Sequence, residues 1–386
     1  MALVQGDTTK AHIVVMGAGA FGGWTALELL RSGAKVTLVD PWGPGNSRAS
    51  SGGETRIIRA TYGPSKVYTA MAQDALQLWK ENERRWGTKL FHRSGVVWMA
   101  GRDDSFERSA VLALEEAGVP FERLGPAESG KRWPQINFDG VPWVIYEPEG
   151  GYLLARRACE AVYEAFLKEG GEYQQAKATP GRIAGHEMEG VSLSNGALVQ
   201  ADQYVFACGP WLPKILLFLG KFLRSTRQEV YFFGTEAGDL RYTDAAWPAW
   251  VDNNTPRYYG IPGNQWRGFK IGDDTRGADF DPDLAERRIT DQGLAAAKAY
   301  MEMRFPGMKG MPLVESRVCQ YENSADEDFI LCRHPDAENA WIVGGGSGHG
   351  FKHGPAVGAM AAAAVLGTKQ PPALFGLERF RETGAL

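Results

Sequence analysis

The chain has little cysteine, little histidine and no long apolar run. Four cysteines (Cys159, Cys208, Cys319, Cys332) and six histidines are spread over 386 residues, with no CxxC and no tight Cys/His spacing. That argues against a structural zinc site, which needs four ligands at characteristic spacing, so no metal is expected. So few cysteines in so long a chain also argue against a disulfide framework, and a reduced, cytoplasmic compartment is expected. The longest bland apolar stretch, PAVGAMAAAAVLG (355–367), is mostly alanine and too short to span a bilayer. The first residues, MALVQGDTTK, lack a basic segment followed by an apolar one, so no secretory signal is read and no membrane is expected. A formal net charge of −4 with no long basic tract argues against a nucleic-acid partner.

Glycine, by contrast, is abundant. Its 48 residues cluster at 17–23, 43–53 and 344–350 rather than forming a repeat. Clustered glycines let a backbone approach a ligand or turn with positive φ.

The first cluster sits in AHIVVMGAGAFGGWTALELLRSGAKVTLVD (11–40). Short β-branched runs at 12–16 and 35–39 predict strands; Phe21, Trp24, Thr25, Leu27 and Leu29 or Leu30 recur at helical spacing between them. Gly33 falls where a helix C-terminal cap is expected. Gly17, Gly19 and Gly22 form a GxGxxG whose glycines serve the tight turn, the approach of a pyrophosphate and helix–strand packing. The helix N-terminus then offers free N–H groups to phosphate. Asp40 ends the second strand, where an acid accepts hydrogen bonds from a ribose and disfavours the 2′-phosphate of NADP. This unit points to a dinucleotide and leaves NAD and FAD both open.

The segment RASSGGETRIIRATYG (48–63) goes beyond what an NAD-binding half requires. Residues 11–63 resemble the N-terminus of the D-amino-acid oxidase superfamily, most of all the group of monomeric sarcosine oxidase with N-methyltryptophan and pipecolate oxidases. The resemblance continues in order through 147–171, 201–216 (ADQYVFACGPWLPKIL), 257–272 (RYYGIPGNQWRGFKIG), 317–331 (RVCQYENSADEDFIL) and 341–358 (WIVGGGSGHGFKHGPAVG). Residues 64–146 and 218–256 match only loosely. The last segment also reads physically as strand, glycine loop and an alanine-rich helix with Pro355 early in it.

This resemblance implies an FAD-dependent amine oxidase. Such an enzyme oxidises the C–N bond of a small secondary (N-methyl or cyclic) amino acid to an imine and reduces oxygen to hydrogen peroxide. It implies carboxylate binding by Arg59 and Lys352, whose fork and point charge suit one carboxylate. It implies cations near the flavin at Arg56 and Lys270, the latter in oxygen activation, and pocket tyrosines at Tyr259 and Tyr321, the former touching substrate. Ser50, Thr55, Gly348, Gly350 and Lys352 join Gly17, Gly19, Gly22, Asp40 and Arg56 as expected cofactor contacts. Cys319 matches the cysteine through which sarcosine-oxidase relatives bind the flavin 8-methyl group as a thioether, with Arg317 a candidate helper cation; a buried, unlinked thiol is the other reading. His349 reads as a backbone-bonded loop residue rather than a base. Two departures stand out. Asp274, after Asp273, occupies the position of an active-site histidine in the sarcosine oxidases, which speaks against sarcosine as the substrate; Cys332 stands where relatives often have Asp.

The expected architecture is α/β (α+β overall). A discontinuous Rossmann-like FAD domain spans 1–85, 150–216 and 316–386, and a substrate domain on a mainly antiparallel sheet spans 86–149 and 217–315. Residues 227–234 and 257–261 predict strands and 281–305 a helix. A monomer with a small amine substrate and oxygen as partners is expected. Two alternatives stay open: a flavin dehydrogenase passing electrons to a quinone or carrier, and a non-catalytic NAD(H)-binding module.

Overall fold

The structure, a computed structural model, describes residues 10–380. Residues 1–9, with most of the stretch read for a secretory pattern, and 381–386 lie outside the described residues, as do the outermost ends of the expected FAD domain. None of the described helices is long and apolar enough to cross a membrane.

The β-branched runs do form strands, and each buries both faces. His12–Met16 lies at the heart of a six-stranded sheet, in the order Ile330–His334, Ala337–Gly344, Gln203–Phe206, His12–Met16, Lys35–Val39, Glu172–Gln174. All neighbours run parallel except the first pair, a hairpin. Ile13, Val14 and Val15 are fully buried, as the continuous apolar run of a parallel strand requires. The helix Ala20–Arg31 follows the first strand and packs on the C-terminal helix Gly354–Val365. Trp24 of the first helix meets Trp79 edge to face at 5.1 Å, a pairing that adds roughly 0.5–1.5 kcal/mol beyond area burial.

The second layer is an eight-stranded sheet, in the order Leu313–Ser324, Leu223–Phe233, Phe269–Asp273, Tyr258–Ile261, Ala249–Asp252, Val96–Met99, Val144–Glu147, Glu122–Leu124. Every pairing is antiparallel except Ala249–Asp252 with Val96–Met99. A three-stranded antiparallel ribbon of Thr55–Ile58, Gly151–Leu154 and Phe91–His92 joins the layers.

The strand Leu313–Ser324 runs across the expected boundary at 316 and pairs with Leu223–Phe233 along almost its whole length. Cys319 and Tyr321 therefore reach the site from the antiparallel sheet. The helix expected over 281–305 is only Asp291–Arg304, because the Thr290 hydroxyl accepts the Gly293 N–H and caps it there. Residues 281–284 instead turn on the Asp281 carboxylate, which accepts the N–H groups of Asp283 and Leu284. They are pinned by Lys214, which bonds both Asp281 and Asp283.

Candidate active site

The glycine cluster at 17–22 packs as tightly as its spacing implies. Gly17 has φ +105°, and a Cβ there would stand 2.3 Å from the Ala207 carbonyl oxygen. A Cβ on Gly22 would stand 1.8 Å from the Gly17 carbonyl oxygen, so the helix leans directly on the strand's exit. Gly19 differs. Its missing Cβ would meet only the Ser51 hydroxyl, and it lines a cavity of about 390 Å³.

That cavity runs from Asp40, Trp42 and Trp211 at one end to Arg56, Tyr321 and Gly350 at the other. Asp40 accepts N–H groups from Ala18, Trp42 and Gly43 at 2.8–2.9 Å. Burial pushes its carboxyl up, and those three donors pull it back. At the far end, Ser50 lines the cavity and donates to the Gln320 carbonyl, tying the 48–53 segment to the strand Leu313–Ser324. Glu322 lines the same cavity with a buried Oε1 that has no hydrogen-bond partner.

A second cavity of about 360 Å³ shares a wall with the first. Arg56, Tyr321, Gly348 and Phe351 line both. Gly348 has φ +80°, and a Cβ there would lie 2.6 Å from the Tyr321 ring, so this wall needs glycine. A Cβ on Gly350 would lie 2.9 Å from the Phe21 ring.

Behind the wall stands a cationic cluster. The Arg56 guanidinium donates to the carbonyls of Ser50 (2.6 Å) and Thr55 (2.8 Å) and lies 3.5 Å from the Cys319 sulphur. Lys270, only 2% exposed, donates to the same Thr55 carbonyl at 2.8 Å. Burial, then the charge of Arg56, depresses its ammonium well below the ordinary lysine range. Arg317, the candidate helper cation, bonds the Glu54 carboxylate and the Gly52 carbonyl, and the guanidinium nearest the sulphur is that of Arg56.

The second cavity gathers the expected substrate residues. Arg59 is sandwiched between the rings of Tyr62 (4.6 Å) and Trp98 (4.5 Å). Its segment is held by buried Glu147, which accepts the Ala60 and Thr61 N–H groups. Lys352, 4% exposed, donates to the Tyr62 hydroxyl at 2.7 Å and the His349 carbonyl at 2.8 Å. Burial, then Arg59, lowers its pKa well below the usual value. The Trp79 indole N–H on the Lys352 carbonyl fixes its backbone. Tyr259 faces the cavity across Gly272, and burial pushes its phenol up to about 12.

Asp274 lines this cavity too, and is no surface acid. The Tyr321 hydroxyl donates to its Oδ1 at 2.9 Å, with Arg276 and Arg257 each 4.0 Å away. Burial raises its pKa against the pull of both arginines. Asp273 only accepts the Thr275 N–H in the turn. His349 bonds the Glu327 carbonyl through Nε2, and burial, then Lys352, lowers its pKa well below the ordinary histidine value.

Sequence reasoning passed over Tyr62, Trp98, Arg257, Arg276 and Glu322. Tyr62 stood in a quoted motif, three residues after Arg59, and Arg276 two residues after Asp274. Trp98 carried no local signal, since only the sheet brings it to Arg59.

Comparison with known proteins agrees with this geometry. The family model described as FAD dependent oxidoreductase matches residues 12–364. Monomeric sarcosine oxidase of Bacillus sp. (strain B-0618) is 30% identical over 381 residues, covering 96% of this chain and 97% of the relative. N-methyl-L-tryptophan oxidase of Salmonella heidelberg (strain SL476) is 29% identical over 385 residues, covering 96% and 98%. Among solved structures, L-proline dehydrogenase from P. horikoshii superimposes with a TM-score of 0.85 at 20% identity over 97% of this chain and 98% of that one. Iminodiacetate oxidase from Chelativorans sp. BNC1 gives 0.78 at 20% identity, over 94% and 98%. The chain belongs to the FAD-dependent oxidoreductase family and is a sarcosine-oxidase-like enzyme of it. The residues present fit that cofactor: the cavity passes Gly19, which presents backbone with no Cβ, and reaches Asp40 at the end of the second strand, an acid that would accept from a ribose.

Proposed function

We propose that this enzyme oxidises the C–N bond of a small secondary amino acid to an imine and passes the electrons to oxygen, forming hydrogen peroxide. The observation that carries the reading is the shared wall: the cavity beside the GxGxxG turn has Arg56, Tyr321, Gly348 and Phe351 in common with a second cavity lined by the cations Arg59 and Lys352. Bound FAD supplies the two-electron redox chemistry; the protein supplies position and charge.

Arg59 and Lys352 hold the substrate carboxylate, Arg59 through its ring-stacked fork and Lys352 through the N–H its two acceptors leave free. An arriving carboxylate restores the charge that burial suppresses on Lys352. Tyr259 and Tyr321 bracket the amine, and the Asp274 carboxylate, held by the Tyr321 hydroxyl, offers an acceptor for a donor group on the substrate. No enzymic base is assigned, since a neutral amine can give up hydride without one. Arg56 provides positive potential that favours electron transfer to oxygen, and negative charge developing there would favour the charged form of the Lys270 amine, which burial and Arg56 otherwise disfavour.

Gly17, Gly19, Gly22, Asp40, Ser50, Thr55, Gly348 and Gly350 would hold the cofactor, with Cys319 its covalent attachment point. The enzyme acts as a cytoplasmic monomer, a reading supported by four free cysteines and the monomeric relatives. The test is anaerobic flavin bleaching against an amine library, followed by peroxide yield in air. Bleaching by secondary amino acids with stoichiometric peroxide supports the reading. Bleaching followed by reoxidation only with dyes or quinones would make the enzyme a dehydrogenase.

A further inference from the structure

Most of the charged groups that line the second cavity are already paired. Asp326 accepts from the Arg379 guanidinium at 2.6 Å, and Glu327 accepts from Arg276 at 2.8 Å. Asp328 has the Tyr68 hydroxyl beside it. Arg276 also donates to the carbonyls of Ser347 (2.9 Å) and Asp274 (3.3 Å). Arg56 is bound to backbone carbonyls, and Arg59 and Lys352 make up the carboxylate subsite. Two groups are left over. Among the described residues no hydrogen bond engages the guanidinium of Arg257, whose side chain is 46% exposed. The Asp274 side chain, 27% exposed, is bonded at Oδ1 by Tyr321, which leaves Oδ2 without a hydrogen bond and open to the cavity.

The backbone sets these two groups against each other. The Asp274 N–H donates to the Arg257 carbonyl at 2.8 Å, next to the paired Tyr258 and Asp273 of the hairpin. Arg257 Nη1 and Asp274 Oδ2 stand 4.0 Å apart, beyond direct hydrogen-bond reach. A planar carboxamide spans such a gap. Its oxygen accepts from the guanidinium and its NH2 donates to the carboxylate, each over about 2.9 Å. Charge argues for the same group. A second carboxylate on the substrate would meet Asp274, and a second ammonium would meet Arg257 and also Arg276, 4.0 Å from Oδ1. A neutral group that both accepts and donates meets neither repulsion. Asp274 feels the charge of Arg59 and acts on that of Lys352, so one amino acid can reach both ends.

We propose that Arg257 and Asp274 form a specificity subsite for an uncharged carboxamide at the end of the substrate's side chain, with its oxygen on the Arg257 guanidinium and its NH2 on Asp274 Oδ2. The substrate class is then the N-alkyl amino acids with an asparagine- or glutamine-like side chain, rather than dicarboxylic, dibasic or aliphatic ones. The inference rests on the oxidation of secondary amino acids proposed above and narrows it to one chemical class. Arg257 touches the far end of the substrate and no reacting atom, so its effect falls on the choice among substrates.

The test follows anaerobic flavin reduction in the holoenzyme by two sets of near-isosteric substrates, each supplied as the racemate. One set is N-methyl asparagine, aspartate and leucine; the other is N-methyl glutamine, glutamate and homoleucine. In at least one set the carboxamide is expected to reduce the flavin about tenfold faster, per concentration of substrate, than its acidic and aliphatic counterparts. Arg257→Met should lower the carboxamide-to-aliphatic ratio by about tenfold. Asp274→Asn leaves Arg257 unopposed and should turn the preference toward the carboxylate. A wild type that prefers the acidic or the aliphatic member at both lengths overturns the proposal. So does a ratio that Arg257→Met leaves unchanged, since a merely structural role would slow both substrates alike. Flavin that no secondary amino acid bleaches overturns the oxidation reading itself, whereas bleaching without preference overturns only the carboxamide subsite.

Discussion

The Arg56 guanidinium lies 3.5 Å from the Cys319 sulphur, across 263 positions of sequence. The same sulphur lies 3.8 Å from the carbonyl of Ser50, a residue of the first cavity's wall, which sets it beside the proposed cofactor site. Acid precipitation of the wild type is therefore expected to leave the yellow colour in the pellet. In Cys319→Ala the colour moves to the supernatant. Colour in the wild-type supernatant would show that the thiol is unlinked.

Lys270→Met tests the oxygen side of the reaction. Removing a buried amine that would take up positive charge as negative charge develops beside it is expected to slow flavin reoxidation in air by roughly 100-fold. Anaerobic reduction by substrate should change far less. Stopped-flow measurement of the two half-reactions separates these effects, and equal losses in both would count against the assignment.

Arg59→Ala and Lys352→Ala each remove a charge-assisted bond to the substrate carboxylate. A loss of about 1.5–3 kcal/mol, or roughly 10- to 100-fold in kcat/KM, is expected for each. Competitive inhibition by simple carboxylates should weaken in parallel, and unchanged inhibition would mean that the carboxylate binds elsewhere.

The depressed pKa of Lys352 carries a sign. Its folded pKa lies below its unfolded one, so between the two the unfolded chain binds the extra proton. Stability then rises with pH across that window and is lost as pH falls through the folded value. Lys352→Met removes the buried amine, so its melting temperature should exceed the wild type's at neutral pH and depend less on pH. Carboxylate ligands should bind with uptake of a proton, which calorimetry in buffers of different ionisation enthalpy can count.

Asp274, where the sarcosine oxidases carry histidine, is expected to set substrate choice. Its raised pKa means that it protonates as pH falls from the neutral side, so kcat/KM should drop on the acid limb. Asp274→Asn should flatten that limb. Asp274→His should shift preference toward sarcosine relative to substrates bearing an extra donor group. An unchanged substrate ranking in both variants would place Asp274 outside recognition.

What the sequence determined by itself was whatever is encoded locally. The strand, GxGxxG, helix, strand and Asp40 of residues 12–40 form as read, with Gly33 at the helix end. The closing strand, glycine loop and Pro355-led helix do so as well. Apolar period and turn chemistry act over a few residues, so they are legible in one dimension. The resemblance carried the pocket residues, and the fold gathers Arg59, Tyr259, Asp274, Tyr321 and Lys352 around one cavity.

Only the tertiary structure decided which charges meet. Alternation along the strand puts Arg317 on the same side as Cys319, yet Glu54 claims Arg317 and the ribbon strand delivers Arg56. Nothing near Glu322 in sequence shows that its carboxyl lies under a glycine turn. Such pairings depend on sheet register and burial between segments from 23 to 263 residues apart. A charge's partner, and through it the charge's protonation state, is a property of the packed interior.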